Sequence, residues 1–200
     1  MDDAHLRLIT WEAIDQIVDD EWDDMPPALE QFFAGLDVNG TVIEIGPGAG
    51  NIAKIMRATL PQARLSAIEV FGPYVELYAL TNLYNQTLVQ DVRKVPDWHW
   101  SASRPAVELT VWIEGPEHMP KKDALGQVKR LARLSRLGLL FSTPLGLYPQ
   151  DGWTCPDGSV NQAEAHLSTW EREEWEALGA ESLWSTDRVP CGLFWLRSAA

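Results

Sequence analysis

Cysteine is scarce in this chain, with only Cys155 and Cys191 among 200 residues. They lie far apart and form no C-x-x-C pair, which argues against a disulfide scaffold and against a paired-thiol metal or redox motif. Read simply, they are reduced thiols, and the expected location is cytoplasmic. No apolar run approaches the roughly 20 residues that a bilayer-spanning helix needs, so no membrane association is expected. The first ten residues, MDDAHLRLIT, are acidic where a secretory leader is basic. Repeats, linker-like tracts and low-complexity segments are also lacking, so a single domain over 1–200 is expected.

Positive charge is lacking at one end. Residues 1–37 hold 11 acids against Arg7 alone, and the chain as a whole carries −13. Such a surface repels phosphate backbones at long range, so nucleic acid is a poor partner and a small molecule a better one. Tryptophan, by contrast, is abundant, with ten residues. These either build the core or wall a pocket for a flat substrate. Nothing in the pattern encodes the oligomeric state.

The stretch that organises the chain is Thr41–Asn51, TVIEIGPGAGN. β-Prone residues run up to Ile45, then Gly46, Gly48 and Gly50 follow at every second position. A strand running into closely spaced glycines lets the backbone turn sharply and approach a ligand without Cβ interference. Asn51 opens a helical segment whose first N–H groups can face an anion or polar ligand. The G-x-G-x-G spacing is one residue shorter than that of dinucleotide binders. Glu44 stands two residues before the first glycine. The combination resembles motif I of the class I S-adenosylmethionine-dependent methyltransferases. That resemblance implies S-adenosylmethionine as cofactor, with Gly46, Gly48 and Gly50 under its methionine part and Glu44 ordering the loop.

The rest of the chain alternates strand and helix patterns with short connectors, which predicts a doubly wound, mostly parallel α/β sheet. The resemblance sharpens this to a seven-stranded Rossmann-like methyltransferase sheet with an antiparallel last strand. Residues 1–40 precede the motif. Thr10 is placed to cap a helix over 11–22, and Pro27 to start a short second helix that ends near Gly35. In small methyltransferases such helices form a lid over the substrate; the alternative is a helix packed on the sheet edge. A second strand, ARLSAIEV, ends on Glu69, where an acid can accept hydrogen bonds from ribose hydroxyls. A helix over Pro73–Tyr84 and a short strand, TLVQD, lead to Asp91. By resemblance Asp91 reaches the adenine amino group, with the Val92 backbone beside it; otherwise it is a solvated turn aspartate. Ala106–Ile113 is the fourth strand and Leu137–Ser142 the fifth, with a helix over Lys121–Arg136 between them. Lys122, Lys129, Arg133 and Arg136 form a basic stripe on that helix, read as a solvated face. Residues 143–168 read as a long Pro- and Gly-rich connection over the substrate side. A helix near Thr169–Leu178 and two closing strands, Ser182–Thr186 and Gly192–Arg197, complete the pattern.

A second constellation follows the fourth strand: Glu114-Gly115-Pro116-Glu117-His118. The spacing E-x-x-E-H resembles the metal motif of ubiquinone-pathway O-methyltransferases and small-RNA 2′-O-methyltransferases. The latter add a histidine in an H-x-x-x-W segment, and His166-Leu-Ser-Thr-Trp170 stands at that place here. Gly115-Pro116 replaces the apolar pair expected inside the motif. By resemblance Glu114, Glu117, His118 and His166 form a mixed oxygen and nitrogen site for a divalent ion, Mg²⁺ or similar. A metal on a substrate hydroxyl lowers its pKa and aligns the oxygen with the methyl sulfonium. Two other readings stay open: His118 or His166 acts directly as acid or base, or Glu117 and His118 simply cap the following helix. The expected function is therefore methyl transfer from S-adenosylmethionine to a small molecule, most simply to oxygen. Its rivals are a 2′-O-methyltransferase acting on RNA, a nicotinamide-dependent oxidoreductase, and a catalytically silent binding domain on the same fold.

Overall fold

The computed structural model describes residues 25–102, 106–186 and 190–199. The helix expected over 11–22 lies outside them. The described chain opens with α1 (Met25–Ala34), starting two residues before the proline that the sequence marks. Then β1 (Thr41–Ile45), α2 (Asn51–Thr59), β2 (Arg64–Glu69), α3 (Pro73–Leu77) and β3 (Gln86–Val89) follow. After these come α4 (Trp98–Ala102), β4 (Val107–Trp112), α5 (Lys121–Leu134) and β5 (Gly138–Pro144). The chain closes with β6 (Asp151–Thr154), β7 (Val160–Ala165), α6 (Arg172–Ala177), β8 (Glu181–Thr186) and β9 (Cys191–Arg197).

Seven strands form one sheet in the order β3-β2-β1-β4-β5-β9-β8. Strand β1 pairs in parallel with β2 and β4, and β9 runs antiparallel to both β5 and β8. A strand flanked on both sides and covered on both faces must be apolar throughout, and all five β1 residues are buried. The strand order reverses direction at β1 and β4, so a crevice opens beyond their C-terminal ends, where such sheets take ligands. The glycine turn, Glu69 and the Glu114–His118 segment all leave the sheet at that edge.

One core lies under α1 and α2, with Leu29, Phe33, Met56 and Leu65 fully buried. The other packs α5 and α6 against the opposite face, where Trp170 stacks on Trp175 with ring centroids 4.0 Å apart. The tryptophans therefore divide. Trp100, Trp112, Trp170, Trp175 and Trp195 are buried, whereas Trp153 is 41% exposed at the mouth of a cavity. Helix α1 packs on the sheet rather than over that cavity, with Phe32 edge-on to Trp195 at 5.2 Å.

Two local expectations change. The helix expected over Pro73–Tyr84 is only α3, because Ala79 adopts a left-handed φ of 50° and a short 3₁₀ turn over Leu80–Asn82 follows. The long connection after β5 is not loop throughout: β6 and β7 form an antiparallel hairpin in it. The basic stripe on α5 is partly consumed by local pairs, Arg133 with Asp97 at 2.9 Å and Arg136 with Glu108 at 2.8 Å.

Candidate active site

A cavity of about 680 Å³ sits at the crevice. Gly46, Gly48 and Gly50 take φ values of 62°, 50° and 73°, a left-handed region that glycine enters without cost. They differ in what surrounds them. A Cβ on Gly46 or Gly48 would meet nothing within 4 Å, whereas one on Gly50 would strike Leu83 Cδ1 at 2.4 Å. The first two leave room for a ligand; the third lets α2 pack.

Glu44 and Glu69, both lining the cavity, are 1% and 2% exposed. The Tyr84 hydroxyl donates to Glu44 Oε2 at 2.5 Å, and the Phe71 amide donates to Glu69 Oε1 at 2.7 Å. Burial pushes Glu44 up to about 8, against the pull of Tyr84 and with the help of the Glu69 charge. Glu69 rises to about 7, again by burial, with the Phe71 amide opposing. Asp91 and the buried Val92 also line the cavity. Both Asp91 oxygens, however, accept from the Arg93 guanidinium, at 3.0 and 2.7 Å, and Oδ1 also takes the Arg93 amide. That pairing holds Asp91 below the usual carboxylate range and uses most of its acceptor capacity.

After β4 the chain makes a 3₁₀ turn over Pro116–His118. Glycine is required at 115, since a Cβ there would fall 1.8 Å from Trp112 Nε1. The Glu117 carbonyl accepts from the amides of Leu167 and Ser168 at 2.7 and 3.1 Å. These two bonds dock the exit of the β6–β7 hairpin on the turn and bring His166 beside His118, ring centroids 5.1 Å apart. One ligand atom each from Glu117, His118 and His166 lies within 4.8 Å of the others.

Their chemistry suits a cation. Glu117 is 1% exposed, and both carboxylate oxygens are buried without a well-formed hydrogen bond, although the Thr143 hydroxyl is near enough to favour the charged form. Burial and the neighbouring Glu114 hold its pKa well above the usual range. His166 Nδ1 lies 2.5 Å from the Tyr148 carbonyl and His118 Nδ1 3.3 Å from that of Ala165. A carbonyl only accepts, so each Nδ1 carries the proton and each Nε2 keeps its lone pair, the arrangement found behind metal-ligating histidines. Burial lowers both histidine pKa values, which favours neutral rings.

Glu114 is not brought into this cluster. Its Oε1 accepts from Ser142 Oγ at 2.5 Å and from Cys191 Sγ at 3.2 Å, turned toward β5 and β9. Its φ of 47° is strained for a residue with a Cβ. A residue that sequence reading passed over stands closer: Glu164 Oε2 is 3.6 Å from His118 Nε2. The signal was present, since Glu164 and His166 are two apart and a strand sends such residues to one face. Reading 143–168 as a loop hid it.

No protein-family model and no curated protein matches the sequence. Solved structures do. The DhpI–SAH complex superposes with a TM-score of 0.60 at 17% identity, over 94% of this chain and 92% of that one. The mitomycin 7-O-methyltransferase MmcR gives 0.55 at 18%, over 94% of this chain but 58% of its own length. A Rhodobacter sphaeroides protein assigned as a Zn-dependent alcohol dehydrogenase gives 0.59 at 13%, over 86% and 88%. The chain has the class I methyltransferase fold. The third neighbour shows that this likeness carries architecture and leaves the chemistry to the residues. Within the methyltransferase fold, the glycine turn and Glu69 occupy one part of the cavity wall, while Glu114, His118 and Glu164 occupy another.

The buried acids set a pH dependence. Glu44 and Glu69 stay protonated in the folded chain at pH values where the unfolded chain has released those protons. The folded state therefore loses stability as pH rises from about 4.5 through about 7 and 8. The two histidines act oppositely, because their folded values are lowered, but their effect is complete above 6.5. Between pH 6.5 and 8 the carboxylates alone set the slope. Ligand-free, chelator-treated protein should lose on the order of 2 kcal/mol over that interval, read as a thermal midpoint several degrees lower. A flat or rising midpoint would contradict the assignment, and Glu44→Gln should make the slope shallower while Glu69 and Glu117 sustain the remainder.

Proposed function

We propose that the protein transfers a methyl group from S-adenosylmethionine to a hydroxyl of a small molecule. The observation that carries this reading is one cavity shared by two kinds of wall. One is an open glycine turn beside a buried acid at the end of β2; the other is a histidine backed by an orphaned carboxylate. Gly46 and Gly48 leave space for the methionine part, and Glu69 is placed to accept from ribose hydroxyls. The adenine role proposed for Asp91 falls more to the Val92 backbone, given the hold of Arg93. His118, the member of the cluster that lines the cavity, faces the acceptor.

The residues fit a divalent metal. Glu117, His118 and His166 would hold it, and when bound it would lower the pKa of an acceptor hydroxyl. The protein's own contribution is to keep both Nε2 atoms unprotonated through the carbonyls of Tyr148 and Ala165, and to orient acceptor and methyl donor in one enclosure. Methyl transfer asks for little beyond that alignment. The acidic balance supports a small molecule over RNA as acceptor.

Calorimetric titration of chelator-treated protein with S-adenosylhomocysteine, then with a divalent metal, tests the reading. Micromolar cofactor binding and a separate metal isotherm are expected, followed by methyl transfer to hydroxylated small molecules. An inability to bind S-adenosylhomocysteine would sink the proposal. Binding without transfer to any hydroxyl acceptor would leave a silent domain.

A further inference from the structure

Glu164 is held in a way that no cofactor role requires. Its Oε1 accepts from the Tyr74 hydroxyl at 3.3 Å and from Asn161 Nδ2 at 3.2 Å, and Asn161 is itself 2% exposed. With one oxygen tied back by two donors, the other is aimed: Oε2 faces His118 Nε2 at 3.6 Å. Glu117 Oε1 faces the same nitrogen at 3.8 Å. Since His118 Nδ1 points its proton at the Ala165 carbonyl, Nε2 presents a lone pair to two carboxylate oxygens. Three acceptor atoms converging at these distances repel one another unless a proton or a metal cation sits between them, and the two carboxylates with two imidazoles suit the latter.

We infer that Glu164, not Glu114, supplies the second carboxylate of a divalent-cation site completed by Glu117, His118 and His166. The inference rests on the metal reading given above and departs from the E-x-x-E-H pattern. The distance to His118 is suitable: ligands at about 2.1 Å from an ion sit roughly 3.0 Å apart when adjacent and about 4.2 Å when opposite, and 3.6 Å falls between. The mutual 4.8 Å grouping takes in Glu117, His118 and His166, and Glu164 approaches it from the His118 side. Glu114, by contrast, has its Oε1 engaged by Ser142 and Cys191. Two imidazoles with two carboxylates also select the metal. Mg²⁺ prefers an all-oxygen octahedron with several waters, so Mn²⁺, Co²⁺ or Zn²⁺ fits this set better.

Supply of a ligand from the β6–β7 hairpin gives the proposal a direct test. Mn²⁺ titration of the chelator-treated full chain should give a single site that Glu164→Gln weakens at least tenfold. Glu114→Gln should change it by no more than about threefold. Co²⁺ absorption should show a visible band that Glu164→Gln shifts or abolishes and Glu114→Gln leaves in place. If Glu164→Gln does not fold, Tyr74→Phe removes one of the two donors that aim the carboxylate, and a several-fold loss of Mn²⁺ affinity is expected. Unchanged Mn²⁺ binding in Glu164→Gln, or loss in Glu114→Gln alone, would overturn the inference while leaving the metal reading intact. No Mn²⁺ isotherm in the unmodified protein would overturn both.

Discussion

Replacing Gly48 with valine should abolish detectable binding of S-adenosylhomocysteine, a loss of at least a hundredfold, while the protein stays folded. The two halves of that result have separate causes. Gly48 lines the cavity and a Cβ there meets nothing within 4 Å, so the added side chain begins in open space where the ligand is to lie. The cost to the fold is that of a left-handed φ of 50° in a residue with a Cβ, about 1–2 kcal/mol. Gly50→Val provides the contrast. There the same change drives a carbon into Leu83, so the loss should fall mainly on stability. Calorimetry beside thermal unfolding separates the two. Full cofactor affinity in Gly48→Val would remove the glycine turn from the cofactor site.

Glu117→Met should do the reverse, losing metal binding entirely while making the metal-free protein more stable. The wild-type carboxylate has two buried oxygens without partners, a cost of about 1–3 kcal/mol when no cation is present. Methionine has a similar shape and removes both oxygens, so most of that cost should be recovered. The check is a thermal midpoint in chelator, expected to rise by several degrees at pH 8, together with a Mn²⁺ titration. A residue that only capped the helix after β4 would behave otherwise, because its loss would lower the midpoint. Stability gained as function is lost marks a group retained for chemistry.

What the sequence made legible was whatever depends on local geometry. The G-x-G-x-G spacing placed the turn, because glycines at positive φ have a distinctive composition. Glu69 could be placed because a strand's end follows from alternation and the residues after it. Glu117, His118 and His166 were visible as residue types, and the fold does bring them together. The partners that decide their roles were not visible. That Glu114 is claimed by Ser142 and Cys191, 28 and 77 residues away, is a fact of strand order. Arg93 on Asp91 is local but depends on side-chain rotamers, which spacing does not encode. The hairpin was lost for a different reason. Its strands are short and mostly polar or exposed, with Trp153, Val160 and Leu167 open to solvent, so they carry no buried alternation to read.

The two amide bonds from Leu167 and Ser168 to the Glu117 carbonyl tie the hairpin to the metal candidate through backbone, and the His118 ring adds a bond to the Ala165 carbonyl. The same hairpin contributes Trp153, Gln162 and Glu164 to the cavity wall. If the proposed cation binds, occupancy of the cavity and occupancy of the cation position become linked variables through this hairpin. A guest that favours one placement of the hairpin must change cation affinity by a factor that the cation returns to the guest. On that reading, an affinity for either one has meaning only with the concentration of the other stated.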